Sequence, residues 1–125
     1  MSRNPVGWFE IYVQDLTRAT KFYEAVLKVK LERLTSPLPE IEMWTFPMIK
    51  DVMGAAGALV QMKGVPSGGN STLVYFNCID CAIEAGRVVA AGGQIKRAKT
   101  PIGEYGFIAL ATDTEGNMFG LHSSH

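Results

Sequence analysis

Trp8, Glu10 and Tyr12 stand at alternate positions in a run whose intervening residues, Phe9, Ile11 and Val13, are all apolar. Strand side chains alternate between two faces, so the spacing predicts a strand from Val6 to Val13. Its apolar set should meet a helix, leaving a carboxylate between two aromatic residues on the opposite face. A carboxylate so placed must be solvated, paired or used, because burying an ionised group alone is costly. Used, Glu10 would serve as an acid or base, or as a polar anchor for a ligand. The second titratable candidate is His122, followed by Ser123, Ser124 and His125. A frayed, solvent-facing terminus is the expectation there, with acid–base service as its alternative. Cys78 and Cys81 lie three apart with no second cysteine pair and no nearby His. That spacing does not make a zinc knuckle, and two half-buried thiols in a reducing compartment are expected, a redox pair being the alternative.

These residues need elements to hold them. Asp15 is placed as a helix N-cap, and Leu16, Ala19, Phe22, Tyr23, Val26 and Leu27 recur at helical spacing as its apolar stripe. Strands are expected at Leu31 to Leu34, Glu42 to Phe46 and Ala58 to Met62, separated by the turn Ser36-Pro37-Leu38-Pro39 and the Gly/Ala stretch at Gly54 to Gly57. This β-α-β-β-β order then repeats about 65 positions on: Asp80 matches Asp15, a strand at Leu73 to Cys78 precedes it, and a helix follows from about Cys81 to Ala91, ended by Gly92-Gly93. Gln94 to Ala98, Phe107 to Ala111 and Asn117 to His122 complete the second set. The expected organisation is therefore one domain over 1–125, with module 1 about 6–63, a flexible linker 64–71 and module 2 about 72–123.

A chain of 125 residues that is 47% hydrophobic can build a continuous core, whereas two modules of this size would be marginal alone. Twelve basic and twelve acidic residues cancel, which argues against nucleic acid or an anionic membrane as partner. No stretch reaches the roughly 18 apolar residues of a membrane span, and no apolar segment follows Met1 to Pro5, so a cytoplasmic protein is expected.

Phe22-Tyr23, Ala91-Gly92-Gly93 and above all Asp113-Thr114-Glu115-Gly116-Asn117-Met118-Phe119-Gly120-Leu121, in that order and on a duplicated unit, resemble the vicinal oxygen chelate superfamily. That group includes glyoxalase I, bleomycin and fosfomycin resistance proteins and extradiol dioxygenases. The resemblance covers essentially the whole chain. It implies an α+β fold in which two tandem βαβββ modules form a U-shaped, partly open mixed sheet with helices on the outer face, the concave side holding a metal or a ligand. Metal-dependent members use four positions on that side. By the resemblance these fall here at Trp8, near Ala58, at Leu73 or Val74, and at Gly120, none of which carries an oxygen or imidazole ligand. The pattern is similar to metal-free glyoxalase-like proteins, so no metal and no cofactor are expected.

The same resemblance turns Trp8 to the concavity, and alternation brings Glu10 and Tyr12 with it. Leu73, Tyr75 and Asn77 follow on the second module, with Met118, Gly120 and His122 on the last strand. Replacing ligand residues by Trp8 and Gly120 should place a ring at one corner and open space at another. Tyr105, in the segment Thr100 to Gly106, is expected at the pocket mouth, and the stretch Lys50 to Gly54 is expected to act similarly, with Met48 and Met53 as adaptable apolar contacts. The functional expectation is a metal-independent binder of a small, partly apolar molecule. Its alternatives are a metal-free lyase or isomerase using Glu10 or His122, and a regulatory or structural domain without a ligand. A homodimer is also implied by the resemblance; light scattering that finds only 13.6 kDa material at micromolar concentration would refute it.

Overall fold

The computed structural model describes residues 4–36, 38–52, 54–69 and 71–125; expectations that fall on Met1 to Arg3, Pro37, Met53 and Asn70 lie outside the described residues. Among the described residues the chain forms two α-helices and eight strands, paired both parallel and antiparallel, in the expected α+β class. They divide into two compact units. One spans Trp8–Thr72, and the other is Leu73–His125 together with the residues up to Gly7.

In the first unit the strand order is β2-β3-β4-β1, where β1 is Val6–Tyr12, β2 Glu32–Leu34, β3 Ile41–Thr45 and β4 Ala56–Met62. Strand β1 runs parallel to β4, with Trp8, Glu10 and Tyr12 opposite Ala56, Ala58 and Val60. The Gly/Ala stretch expected to separate strands therefore belongs in part to β4, because small residues fit where Phe9 crosses Gly57 closely. Helix α1 (Leu16–Leu27) starts where the Asp15 carboxylate accepts from the Arg18 backbone N–H at 3.0 Å, satisfying a donor that has no partner within the helix. Its core is Leu16, Leu31 and Leu59, packed with Ile11, Val13, Tyr23, Trp44 and Phe46. The apolar stripe is narrower than its spacing predicts: Ala19 and Tyr23 pack inward, but Phe22 and Val26 are 59% and 58% exposed and Leu27 is also exposed.

The second unit repeats the design in the order β5-β8-β7-β6, with β5 Thr72–Asn77, β6 Gln94–Pro101, β7 Phe107–Thr112 and β8 Met118–Ser123. Strand β5 is parallel to β8, and β7 is antiparallel to both β8 and β6. Helix α2 (Cys81–Val88) is capped by Asp80, which accepts from the Ala82 N–H at 3.0 Å and also holds Lys99 at 2.8 Å. Cys78, Cys81, Ala109 and Leu121 form its core, with Phe76 and Phe119 against them in an edge-on pair. Both thiols are buried rather than half-buried, and desolvation, with Glu84 nearby, pushes Cys78 up to about 11. That is the reverse of the low-pKa thiol a redox pair uses. The helix is shorter than expected, ending at Val88, and β6 runs past Ala98 to Pro101. None of the helices described is long and apolar enough to cross a membrane.

Candidate functional site

Helix α1 takes the Phe9, Ile11 and Val13 face of β1, so Trp8, Glu10 and Tyr12 look the other way, as alternation predicts. The Glu10 side chain is held at both oxygens. Trp8 Nε1 donates to Oε2 at 3.1 Å, and Tyr12 Oη donates to Oε1 at 2.8 Å. Glu10 is only 7% exposed, and that burial lifts its pKa above the ordinary 4.5, while the hydrogen bonds from Tyr12 and Trp8 pull in the opposite direction. Beside it the sheet offers little polarity. Ala58 lies directly opposite and is fully buried, and the next strand contributes Thr45, whose hydroxyl already donates to the Glu32 carbonyl at 3.3 Å.

In the second unit, the positions turned away from α2 carry a different arrangement. Tyr75 faces Gly120 across the β5–β8 pair, and its ring lies where a Cβ on residue 120 would sit. The space expected at Gly120 is therefore filled by Tyr75, a correction that follows from register, since only a glycine lets the ring lie flat on the neighbouring strand. Asn77 covers Gly7 in the same manner and pairs in register with His122. Leu73 is buried on the Tyr75 side of β5, whereas Met118, opposite Thr112, is 45% exposed.

His122 is not frayed. It lies within β8, paired with Ile108 of β7, and its Nε2 meets the Tyr105 carbonyl at 2.6 Å. A carbonyl only accepts, so Nε2 carries the proton and Nδ1 alone is left to act as a base. Tyr105 sits in a short 3-10 turn, Gly103–Tyr105, closed by the Ile102 N–H donating to the Gly106 carbonyl at 2.8 Å. With β6 reaching Pro101, the segment Thr100 to Gly106 is mostly strand end and 3-10 turn, tied to His122.

Sequence reasoning put Ala58 on this face but not opposite Glu10, and it missed Thr45, one strand beyond Ala58. The signal was weak, because which residues of β4 and β3 line up with Glu10 depends on register between distant segments. It also placed the β3–β4 connection only roughly. There Pro47, Ile49, Val52, Gly54, Ala55 and Ala56 line a cavity of about 110 Å³, and Ala56 is the register partner of Trp8. A larger cavity of about 410 Å³ is lined by Gln14, Glu40, Glu42, Gln61 and Lys63 among others. Glu42 and Gln61 are partners on the helix side of the sheet, where Gln61 accepts from the Leu16 N–H, so this cavity opens away from Glu10.

Over residues 6–121 the chain matches the model of the Glyoxalase/Bleomycin resistance protein/Dioxygenase superfamily, and it belongs to that superfamily. Solved structures with the same fold include methylmalonyl-CoA epimerase of Streptomyces coelicolor in complex with 2-nitronate-propionyl-CoA, at 14% identity and TM-score 0.70, over 98% of this chain and 99% of that one. Methylmalonyl-CoA epimerase from Mycobacterium tuberculosis aligns at 13% identity and TM-score 0.68, over 97% and 88% of the two chains. An uncharacterised protein from Methanosarcina mazei aligns at 15% identity and TM-score 0.62, over 98% and 94%. At these identities the likeness is one of fold. No curated protein matches the chain.

The positions that the resemblance gives to a metal, at Trp8, near Ala58, at Leu73 or Val74 and at Gly120, carry residues that do not fit a divalent cation. Trp8, Ala58, Leu73 and Gly120 supply no ligand atom, Ala58 is closed off beside Glu10, and Tyr75 covers Gly120. Among the described residues no three His, Cys, Asp or Glu side chains gather closely enough to hold an ion. Glu10 alone offers one carboxylate that already accepts two hydrogen bonds.

Proposed function

We propose that this protein binds a small, partly apolar molecule without a metal, on the face of β1 that carries Trp8, Glu10 and Tyr12. The observation that carries this reading is the buried Glu10 carboxylate, fixed at both oxygens by two aromatic donors and bordered by Ala56, Ala58 and Val60. A pocket that is mainly apolar, with one oriented polar group, suits a small organic ligand. The two ring donors fix the direction of the carboxylate before any ligand arrives, which lowers the ordering cost of binding. A library of apolar and aromatic compounds screened by thermal shift tests the reading, because a ligand of the native state raises the midpoint. Stabilisation by some members that Trp8→Ala abolishes is the expected result. A library that leaves the midpoint unmoved would defeat the proposal.

A second reading is favoured by one observation. Burial raises the pKa of Glu10, which is how a carboxylate becomes a useful proton acceptor near neutral pH. In that reading the protein is a metal-free lyase or isomerase. His122 is the weaker acid–base candidate, since one ring nitrogen is committed to the Tyr105 carbonyl. A turnover that survives both Glu10→Gln and His122→Ala would remove these two residues from any mechanism.

A further inference from the structure

We propose that the ligand of the β1 face is an organic cation, an ammonium or amidinium group carried on an apolar or aromatic body. The inference rests on the binding reading above and names the ligand's chemical class. It starts from what the Glu10 carboxylate still lacks. A carboxylate offers about four lone-pair positions, and Trp8 and Tyr12 occupy one on each oxygen. Indole N–H only donates, so the Oε2 that it meets is an acceptor.

Among the described residues no cationic side chain answers it. The ion pair found among the described residues is Lys99 with Asp80, in the other unit, and Glu10 has none. Across the sheet it meets the Ala58 methyl, with Thr45 next and committed to the Glu32 carbonyl. A buried carboxylate with two neutral donors and no counter-charge is under-compensated, and a ligand bearing N–H donors and positive charge completes it. Trp8 and Tyr12 are also aromatic residues of the kind whose rings attract an ammonium. An anionic ligand meets repulsion here instead.

The body of the ligand follows from an independent feature. The cavity of about 110 Å³ in the β3–β4 connection begins at Ala56, the residue opposite Trp8. Ile49 and Val52 stand there 68% and 61% exposed, an unusual amount of bare aliphatic surface in the cavity that Ala56 borders. A cation at Glu10 with a ring or short alkyl chain directed past Trp8 covers both features at once.

The test compares phenethylamine and benzyltrimethylammonium with phenethyl alcohol and phenylacetate, titrated calorimetrically against the intact wild-type protein and against Glu10→Gln. The cations should bind about tenfold or more tightly than the alcohol, with phenylacetate weakest, as a desolvated charge-assisted contact predicts. In Glu10→Gln the gap between cation and alcohol should close. Equal binding of cations and alcohol to the wild-type protein overturns the cationic class while leaving the small-molecule reading in place. Binding of phenylacetate alone also overturns it. If the apolar library described above stabilises the protein but none of these four probes binds, the class falls and the broader reading stands; silence in both experiments removes both. The wild-type series decides the matter without the variant, should Glu10→Gln fail to fold.

Discussion

On β1 the positions turned away from α1 hold a carboxylate between two ring donors, whereas on β5 and β8 the positions turned away from α2 hold a phenol ring laid over a glycine. Both faces come from one repeated β-α-β-β-β plan, with Asp15 and Asp80 capping the two helices by the same kind of hydrogen bond. The repeat conserves what the helix side needs. The opposite side is free to diverge, and here one copy has spent it on polarity and the other on packing. The scaffold and the chemistry of this chain are therefore separate layers of the same strands, read at alternate residues.

The sharpest way to break the comparison is to treat the Tyr75–Gly120 contact as function. Removing a buried ring should cost about 3–5 kcal/mol, so Tyr75→Ala should lower the urea midpoint strongly. Gly120→Ala alone should cost about 1–3 kcal/mol by forcing the ring aside, but much less in the Tyr75→Ala background. Additive losses would mean that the ring does not rest on residue 120, and the packing account of this face would fail.

The β1 face should behave differently, because its sensitivity is to protons. Glu10 has a raised pKa in the folded state, so the folded protein holds that proton more tightly than the unfolded chain. Its contribution to stability is complete below the ordinary value of 4.5 and is lost as pH rises through the raised one. Asp80 and Asp113 are lowered, by Lys99 and by the Asn117 N–H respectively, and act with opposite sign: their contribution is present above the ordinary 3.8 and fades as pH falls. Subtracting the Glu10→Gln curve from the wild-type curve isolates the first effect, and the difference should change as pH rises above 4.5. Tyr12→Phe, which removes one donor at a cost of about 1 kcal/mol, should push the change to higher pH. Parallel curves for wild type and Glu10→Gln would show that the carboxylate titrates as if in water.

Alternation made half of this legible beforehand. Phe9, Ile11 and Val13 against Trp8, Glu10 and Tyr12 could be sorted from β1 alone, and the capping aspartates announce both helix starts, because each is a property of consecutive residues. The rest depends on partners far along the chain. That Tyr75 meets Gly120, that Ala58 and not a donor lies opposite Glu10, and that His122 is tied to Tyr105 all follow from register between strands separated by many residues. Helical spacing likewise marked Phe22, Val26 and Leu27 as a stripe but could not say how much of it the sheet would cover. The extension of β6 to Pro101 was hidden because Lys96, Arg97, Lys99 and Thr100 do not alternate cleanly with apolar residues, and the strand slips register twice against β7.

The hydrogen bond from Trp8 to Glu10 has an optical consequence. Of the two tryptophans, Trp44 packs with the helix-side core, while Trp8 points its ring nitrogen at the one buried carboxylate on the opposite face. Indole emission responds to charge and hydrogen bonding at that nitrogen. The molecule thus carries its own lamp at the place where a proton or a ligand would arrive, with a second, sheltered one beside the helix to serve as the reference.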